Sequence, residues 1–115
     1  MIDHVTFELH EWPASPVVLE IRQGMLRWYR GWGSCDEANS DWEPLSPSQC
    51  EELKTVFGEV EVWNWKSGYE NSAIQDGTTW RMVTGEAGKR ITSEGVNAFP
   101  RGWEKVRAVL LGLIE

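Results

Sequence analysis

The stretch His4-Val5-Thr6-Phe7-Glu8-Leu9-His10 decides the fold class. Val5, Phe7 and Leu9 fall on one side and His4, Thr6, Glu8 and His10 on the other, the period of two that marks a strand with one face buried and one in water. Glu11-Trp12-Pro13-Ala14-Ser15-Pro16 interrupts it, because proline lacks the amide donor that a ladder needs. The alternation resumes from Val17 to Arg22, with Val17, Leu19 and Ile21 on one face. Gln23-Gly24 then predicts a tight, antiparallel hairpin into the aromatic run Met25-Leu26-Arg27-Trp28-Tyr29-Arg30-Gly31-Trp32.

Beyond this meander, residues 33 to 45 are rich in Gly, Ser, Asn and Asp and lack periodicity, so they are read as a loop. Ser46-Pro47-Ser48-Gln49 is a helix start. Serine serves as N-cap, proline fits the first helical position, and Gln49 can close a capping box. The helix is expected to run to about Phe57 and to stop at Gly58, with Cys50, Leu53, Val56 and Phe57 on its apolar face. Val60 to Lys66 reads as a strand packed on both faces and therefore central, with Val60 and Val62 opposed to Trp63 and Trp65. Thr78 to Thr84 and Lys89 to Glu94 read as a second hairpin reversed at Glu86-Ala87-Gly88. Pro100 opens a final helix whose stripe of Trp103, Val106, Leu110, Leu113 and Ile114 docks on the sheet.

Runs of strands followed by helices predict an α+β fold: a single antiparallel sheet of about five to six strands with two helices, in the order βββα-βββα. A length of 115 residues is enough for one core, so residues 1–115 are read as a single domain. The amino terminus has neither the basic start nor the apolar core of a secretory signal, and the longest apolar run, residues 109 to 114, is far below the ~20 residues that cross a bilayer. A cytoplasmic location is the expectation. Cys35 and Cys50, fifteen positions apart, fit neither a disulfide framework nor a CxxC site and are read as free thiols.

The net charge of −7 is unevenly distributed. Asp36 to Glu61 holds eight acids and one base and so carries all of it, while the rest of the chain has ten of each sign. A segment of that kind repels phosphate backbones and anionic lipid, so neither nucleic acid nor membrane is expected as a partner. It serves either to keep a small protein in solution or to dock a basic partner.

Chemistry-bearing patterns are sparse. His4 and His10 share a strand face but lie ~20 Å apart at about 3.3 Å per residue, too far for a common metal or proton relay. No HExxH, GxGxxG, P-loop or GxSxG pattern occurs, so no catalytic residue, metal ligand or cofactor is assigned and no enzymatic activity is expected. The eight tryptophans stand out. Five or six are expected in the core, leaving Trp42 and Trp12 exposed; Trp42 either recognises a cationic surface beside the acids or pins its own loop.

Trp63-Asn64-Trp65-Lys66-Ser67-Gly68-Tyr69, Asp76-Gly77-Thr78-Thr79-Trp80 and Glu94-Gly95-Val96-Asn97-Ala98-Phe99-Pro100-Arg101-Gly102-Trp103 follow one another in the second half. Together they resemble a family of small bacterial proteins of unknown function that share the pattern W…Y…DGxxW…GxNaYPxxW. The resemblance covers residues 63 to 113 and implies no activity. Val96 stands where a serine is common and Phe99 where a tyrosine is common, which removes two hydroxyls. In physical terms Asp76-Gly77 supplies a turn, Trp80 an anchor, and Gly95 with Asn97 a tight loop, so the residues read as a folding motif.

The leading functional expectation is a non-enzymatic protein-binding domain in which Asp36, Glu37, Asp41, Trp42, Glu43, Glu59 and Glu61 engage a basic protein partner. Its concrete form is an immunity protein that covers the cationic active site of a cognate toxin. The alternative is a module that binds carbohydrate or another small ligand on exposed tryptophans. A hydrolase with paired carboxylates comes third.

Overall fold

The computed structural model describes residues 2–33, 35, 40–71 and 77–114. Among them the strands are β1 (His4–Glu11), β2 (Val17–Arg22), β3 (Met25–Arg30), β4 (Glu43–Pro44), β5 (Gly68–Glu70), β6 (Thr78–Glu86) and β7 (Lys89–Val96). The helices are α1 (Pro47–Glu59) and α2 (Trp103–Gly112). All seven strands join one sheet in the order β4-β3-β2-β1-β6-β7-β5. The fold is α+β.

β1 lies near the middle of the sheet, paired antiparallel to β2 and β6. Its alternation is as expected: Val5, Phe7 and Leu9 are buried, and the register sets them against Ile21, Leu19 and Val17 on one side and Thr84, Met82 and Trp80 on the other. α1 and α2 cover this face. Leu53 and Phe57 of α1, and Trp103, Val106, Val109 and Leu110 of α2, complete the core. Both expected hairpins are present, turning at Gln23-Gly24 and Ala87-Gly88, where all four residues have positive φ. Such turns match the natural twist of the strands they join.

The start of α1 follows the reading of Ser46-Pro47-Ser48-Gln49 in detail. The Ser46 hydroxyl accepts from the Gln49 amide at 3.1 Å, and the Gln49 side-chain oxygen accepts from the Ser46 amide at 2.8 Å. α1 does not stop at Gly58, however. It continues to Glu59 and is capped at Val60, because the left-handed backbone that ends it belongs to Glu61, with φ 54°.

Three expectations about the sheet are corrected. It has seven strands rather than five or six, since the two-residue β4 adds an edge beside β3. It is mixed rather than antiparallel, since β7 inserts between β5 and β6 and pairs parallel with β5. The proposed central strand from Val60 to Lys66 is instead a 3-10 turn over Val62–Asn64, which buries Val62 and presents Trp65 to Trp80 and Trp103. The chain extends only at Gly68–Glu70, on the far edge.

Trp65, Tyr69, Trp80, Phe99 and Trp103 build one aromatic cluster. Trp80 lies 4.5 Å from Trp103, 5.8 Å from Trp65 and 6.0 Å from Tyr69 between ring centroids, and Phe99 stacks on Trp103 at 5.3 Å. The Trp80 indole donates to the Ala98 carbonyl at 3.0 Å, and the Asn97 side chain accepts from the Thr78 amide at 2.8 Å. Asp76 lies outside the described residues.

Candidate functional site

The helices leave the second face of the sheet uncovered. Because directly paired residues share a face, the register writes that surface out in rows across the strands. One row runs Tyr29, Val18, Glu8, Arg81, Glu94; the next, toward the carboxyl end of β1, runs His10, Thr79, Val96, Glu70. Glu8, Arg81 and Glu94 thus alternate in sign across three adjacent strands. Arg81 Nε approaches Glu94 Oε2 at 3.8 Å, a loose contact in which both side chains remain half in water. It is worth little to stability and leaves the groups available to another partner.

On the β2–β3 half of this face, Gly31, Cys35 and Trp42 from the chain that follows β3 lie against the strands. The Gly31 amide donates to the Pro16 carbonyl at 2.8 Å and so carries the pairing beyond β3. Cys35 is buried with its Sγ 4.0 Å from the Val18 carbonyl, and the Trp42 ring sits 4.5 Å from the Arg27 guanidinium. Arg27 is itself held by Glu20, at 3.1 Å from Nε and 2.9 Å from Nη2. A groove of about 770 Å³ remains over the β1-β6-β7-β5 half. Its floor carries Glu8, Arg81, Glu94 and Thr79, and Trp32 and Glu70 stand at its sides.

Trp32 is the most exposed large apolar side chain among the described residues, at 78%. Its ring meets His10 edge-on at 4.9 Å, and Trp12, 60% exposed, meets the same imidazole at 6.1 Å. The three rings form a small cluster with the imidazole at its centre. Two tryptophans, Trp80 and Trp103, are fully in the core, Trp28, Trp63 and Trp65 are half-buried, and Trp12, Trp32 and Trp42 are exposed. Trp12 and Trp42 were foreseen. Trp32 was not, because it continues the aromatic run of β3 in sequence while the strand itself ends at Arg30.

The acidic residues singled out in the sequence do not all meet. Asp36 and Glu37 lie outside the described residues. Asp41, Trp42 and Glu43 are consecutive and exposed at the β4 edge. Glu59 is the last residue of α1 and Glu61 lies just beyond it; the thirteen residues of the helix place Glu59 about 18 Å along its axis from Pro47. They are also exposed. The described acids therefore form two groups, one at the sheet edge and one beyond the far end of the helix.

Cys35 and Cys50 are both free thiols, as read from their spacing. Among the described residues no group of three or more His, Cys, Asp or Glu is placed to hold a metal ion, and no helix is long and apolar enough to cross a membrane. No family model matches the chain, and no curated protein matches it.

Proposed function

We propose that the protein is a binding module that takes a carbohydrate, or a small ligand of similar polyhydroxylated character, in the groove on the open sheet face. The observation that carries this reading is the highly exposed Trp32 beside His10 at the mouth of a groove floored by Glu8, Arg81 and Glu94. A sugar presents an apolar C–H face and hydroxyls that both donate and accept. An indole offers the apolar face a flat platform, carboxylates accept from the hydroxyls, and a guanidinium donates to them.

Trp32→Ala is expected to leave thermal stability nearly unchanged, within about 0.5 kcal/mol, because the side chain is mostly in solvent. The same change should weaken glycan binding about tenfold or more, the loss of roughly 1.4 kcal/mol of stacking. Tryptophan fluorescence titrated with a panel of mono- and oligosaccharides reads this directly. A parent protein that responds to no sugar overturns the proposal.

Asp41, Trp42 and Glu43, exposed together at the β4 edge, support a second reading in which a basic protein partner, such as a toxin held by its immunity protein, docks there. The Arg27–Trp42 contact favours the loop-pinning role for that indole instead. The two readings separate cleanly. Partner capture that falls on Asp41→Asn with Glu43→Gln and ignores Trp32→Ala favours protein recognition.

A further inference from the structure

The opposite end of the open face carries a second depression, of about 750 Å³, lined by Asp3, His4, Thr6, Arg22, Gln23, Arg81, Val83 and Arg90. Its origin is again a row of the register. His4 pairs with Arg22 on β2 and with Gly85 on β6, and Gly85 pairs with Arg90 on β7. Arg22 and Arg90 therefore stand on either side of a position with no side chain, their Cα atoms about 14 Å apart at three strand spacings of roughly 4.8 Å. The His4 imidazole lies over Gly85 so closely that a Cβ there would strike its Cε1. The missing side chain makes room for the imidazole, which lies between the two arginines and lines the depression with them.

Three guanidinium groups and an imidazole thus face one carboxylate, in a protein whose net charge is −7. That carboxylate, on Asp3, already accepts from the Ala87 amide at 3.1 Å. Among the described residues no carboxylate lies within ion-pair distance of Arg22 or Arg90, and Arg81 has only its 3.8 Å contact with Glu94. Arg27 and Arg107 differ in kind, since each is hydrogen-bonded to a carboxylate, Glu20 and Glu11 respectively. Cations that outnumber the carboxylates beside them raise the free energy of the empty site and reward an anion that enters it.

We propose that this depression binds a phosphate group carried by a small ligand. Guanidinium forks match the oxygens of a tetrahedral oxyanion in bidentate fashion, and several of them around one group favour a dianion over a carboxylate. Thr6 adds a hydroxyl donor and His4 a ring N–H, while Val83 gives the floor an apolar strip. The site uses β1, β2, β6 and β7, which the core holds rigid, so it is formed before the ligand arrives. It shares Arg81 with the groove, but Arg22 and Arg90 line this depression alone, so changing them tests it apart from sugar binding.

The test is calorimetric titration with inorganic phosphate and with glucose 6-phosphate, beside sedimentation with phosphatidylcholine vesicles doped with phosphatidic acid. Inorganic phosphate should bind saturably with a Kd on the order of 1 mM, and the phosphate ester at least as tightly. Arg22→Gln with Arg90→Gln should weaken both about tenfold or more, each single change should weaken them less, and Arg101→Gln, at an exposed arginine outside the depression, should change neither. All three positions are exposed, so melting temperatures should match the parent and confirm that the variants fold. The absence of saturable phosphate binding overturns the proposal, as does binding that the double variant leaves intact. Binding to the vesicles without binding to free phosphate also overturns it, because the arginines would then serve a lipid surface.

Discussion

Replacing Trp103 with alanine is expected to cost about 3–5 kcal/mol, the range for removing a large aromatic side chain from a packed core. Trp103 is the hub between the two halves of the molecule. It stands at the first position of α2, 4% exposed, and its ring contacts Phe7 of β1 at 5.8 Å, Trp80 of β6 at 4.5 Å, Trp65 at 6.4 Å and Phe99 at 5.3 Å. Helix, sheet and the 3-10 turn meet on this one side chain. Domains of this size are stable by only about 5–15 kcal/mol in all, so the loss is a large fraction of the total. Chemical denaturation monitored by circular dichroism should show a midpoint shifted far downward. Trp103→Phe, which keeps a ring, should recover much of the loss. A Trp103→Ala protein as stable as the parent would mean that α2 is not docked as described.

Gly95→Ala is expected to destabilise the fold by about 3 kcal/mol, a large effect for one added methyl group. Overpacking alone typically costs about 1–3 kcal/mol, and a buried donor that loses its partner adds a comparable amount. Gly95 lies opposite Trp80 in the β6–β7 pair. A Cβ there would strike the Trp80 Nε1 atom and come within 2.5 Å of the Ala98 carbonyl oxygen, the two ends of the hydrogen bond that fixes the indole. The oxygen is backbone and cannot swing away, so the indole must move and its N–H must let go. In a Trp80→Phe background the same change should cost less, because the Nε1 atom is gone and no indole N–H is left to lose its partner; equal costs in both backgrounds would show that displacement of the indole is not the cause. Gly58→Ala supplies the contrast. It lies inside α1 with nothing within 4 Å of the added atom, and should be neutral or stabilising by up to about 1 kcal/mol.

Local patterns in the sequence carried much of this architecture. β1, the two hairpins, the capped start of α1 and the stripe of α2 each follow from periodicity or turn chemistry within a dozen residues. The Val60–Lys66 segment did not yield to the same reasoning. Alternating valines and tryptophans suit a strand, but they also suit a tight turn that buries Val62 and leaves Trp63 and Trp65 half-covered, and the positive φ at Glu61 leaves no sequence signal because glutamate rarely adopts it. The parallel pairing of β5 was hidden for another reason. It depends on β7 entering between β5 and β6, a choice of neighbour that no local pattern records.

The candidate sites were legible only in part. The outward side of β1 was visible as His4, Thr6, Glu8 and His10, yet what makes it chemically interesting comes from residues some 70 to 85 positions away in sequence. Arg81, Arg90 and Glu94 join Glu8 and His4 through strand register alone, with no spacing that a motif could capture. The acidic run misled in the opposite sense. It is contiguous in sequence, but α1 runs through it and separates Glu59 and Glu61 from Asp41 and Glu43 by the length of the helix.

The central claim is that the uncovered face of the sheet, and not the helical face or the acids beyond α1, is the surface that binds. Amide chemical-shift mapping on the labelled protein, titrated with an oligosaccharide and separately with inorganic phosphate, tests it most directly. The sugar should shift resonances of His10, Trp32, Thr79 and Val96, phosphate should shift those of His4, Thr6, Arg22 and Arg90, and α1 and α2 should stay silent in both titrations. Shifts centred on the two helices, or on Glu59 and Glu61, would contradict it.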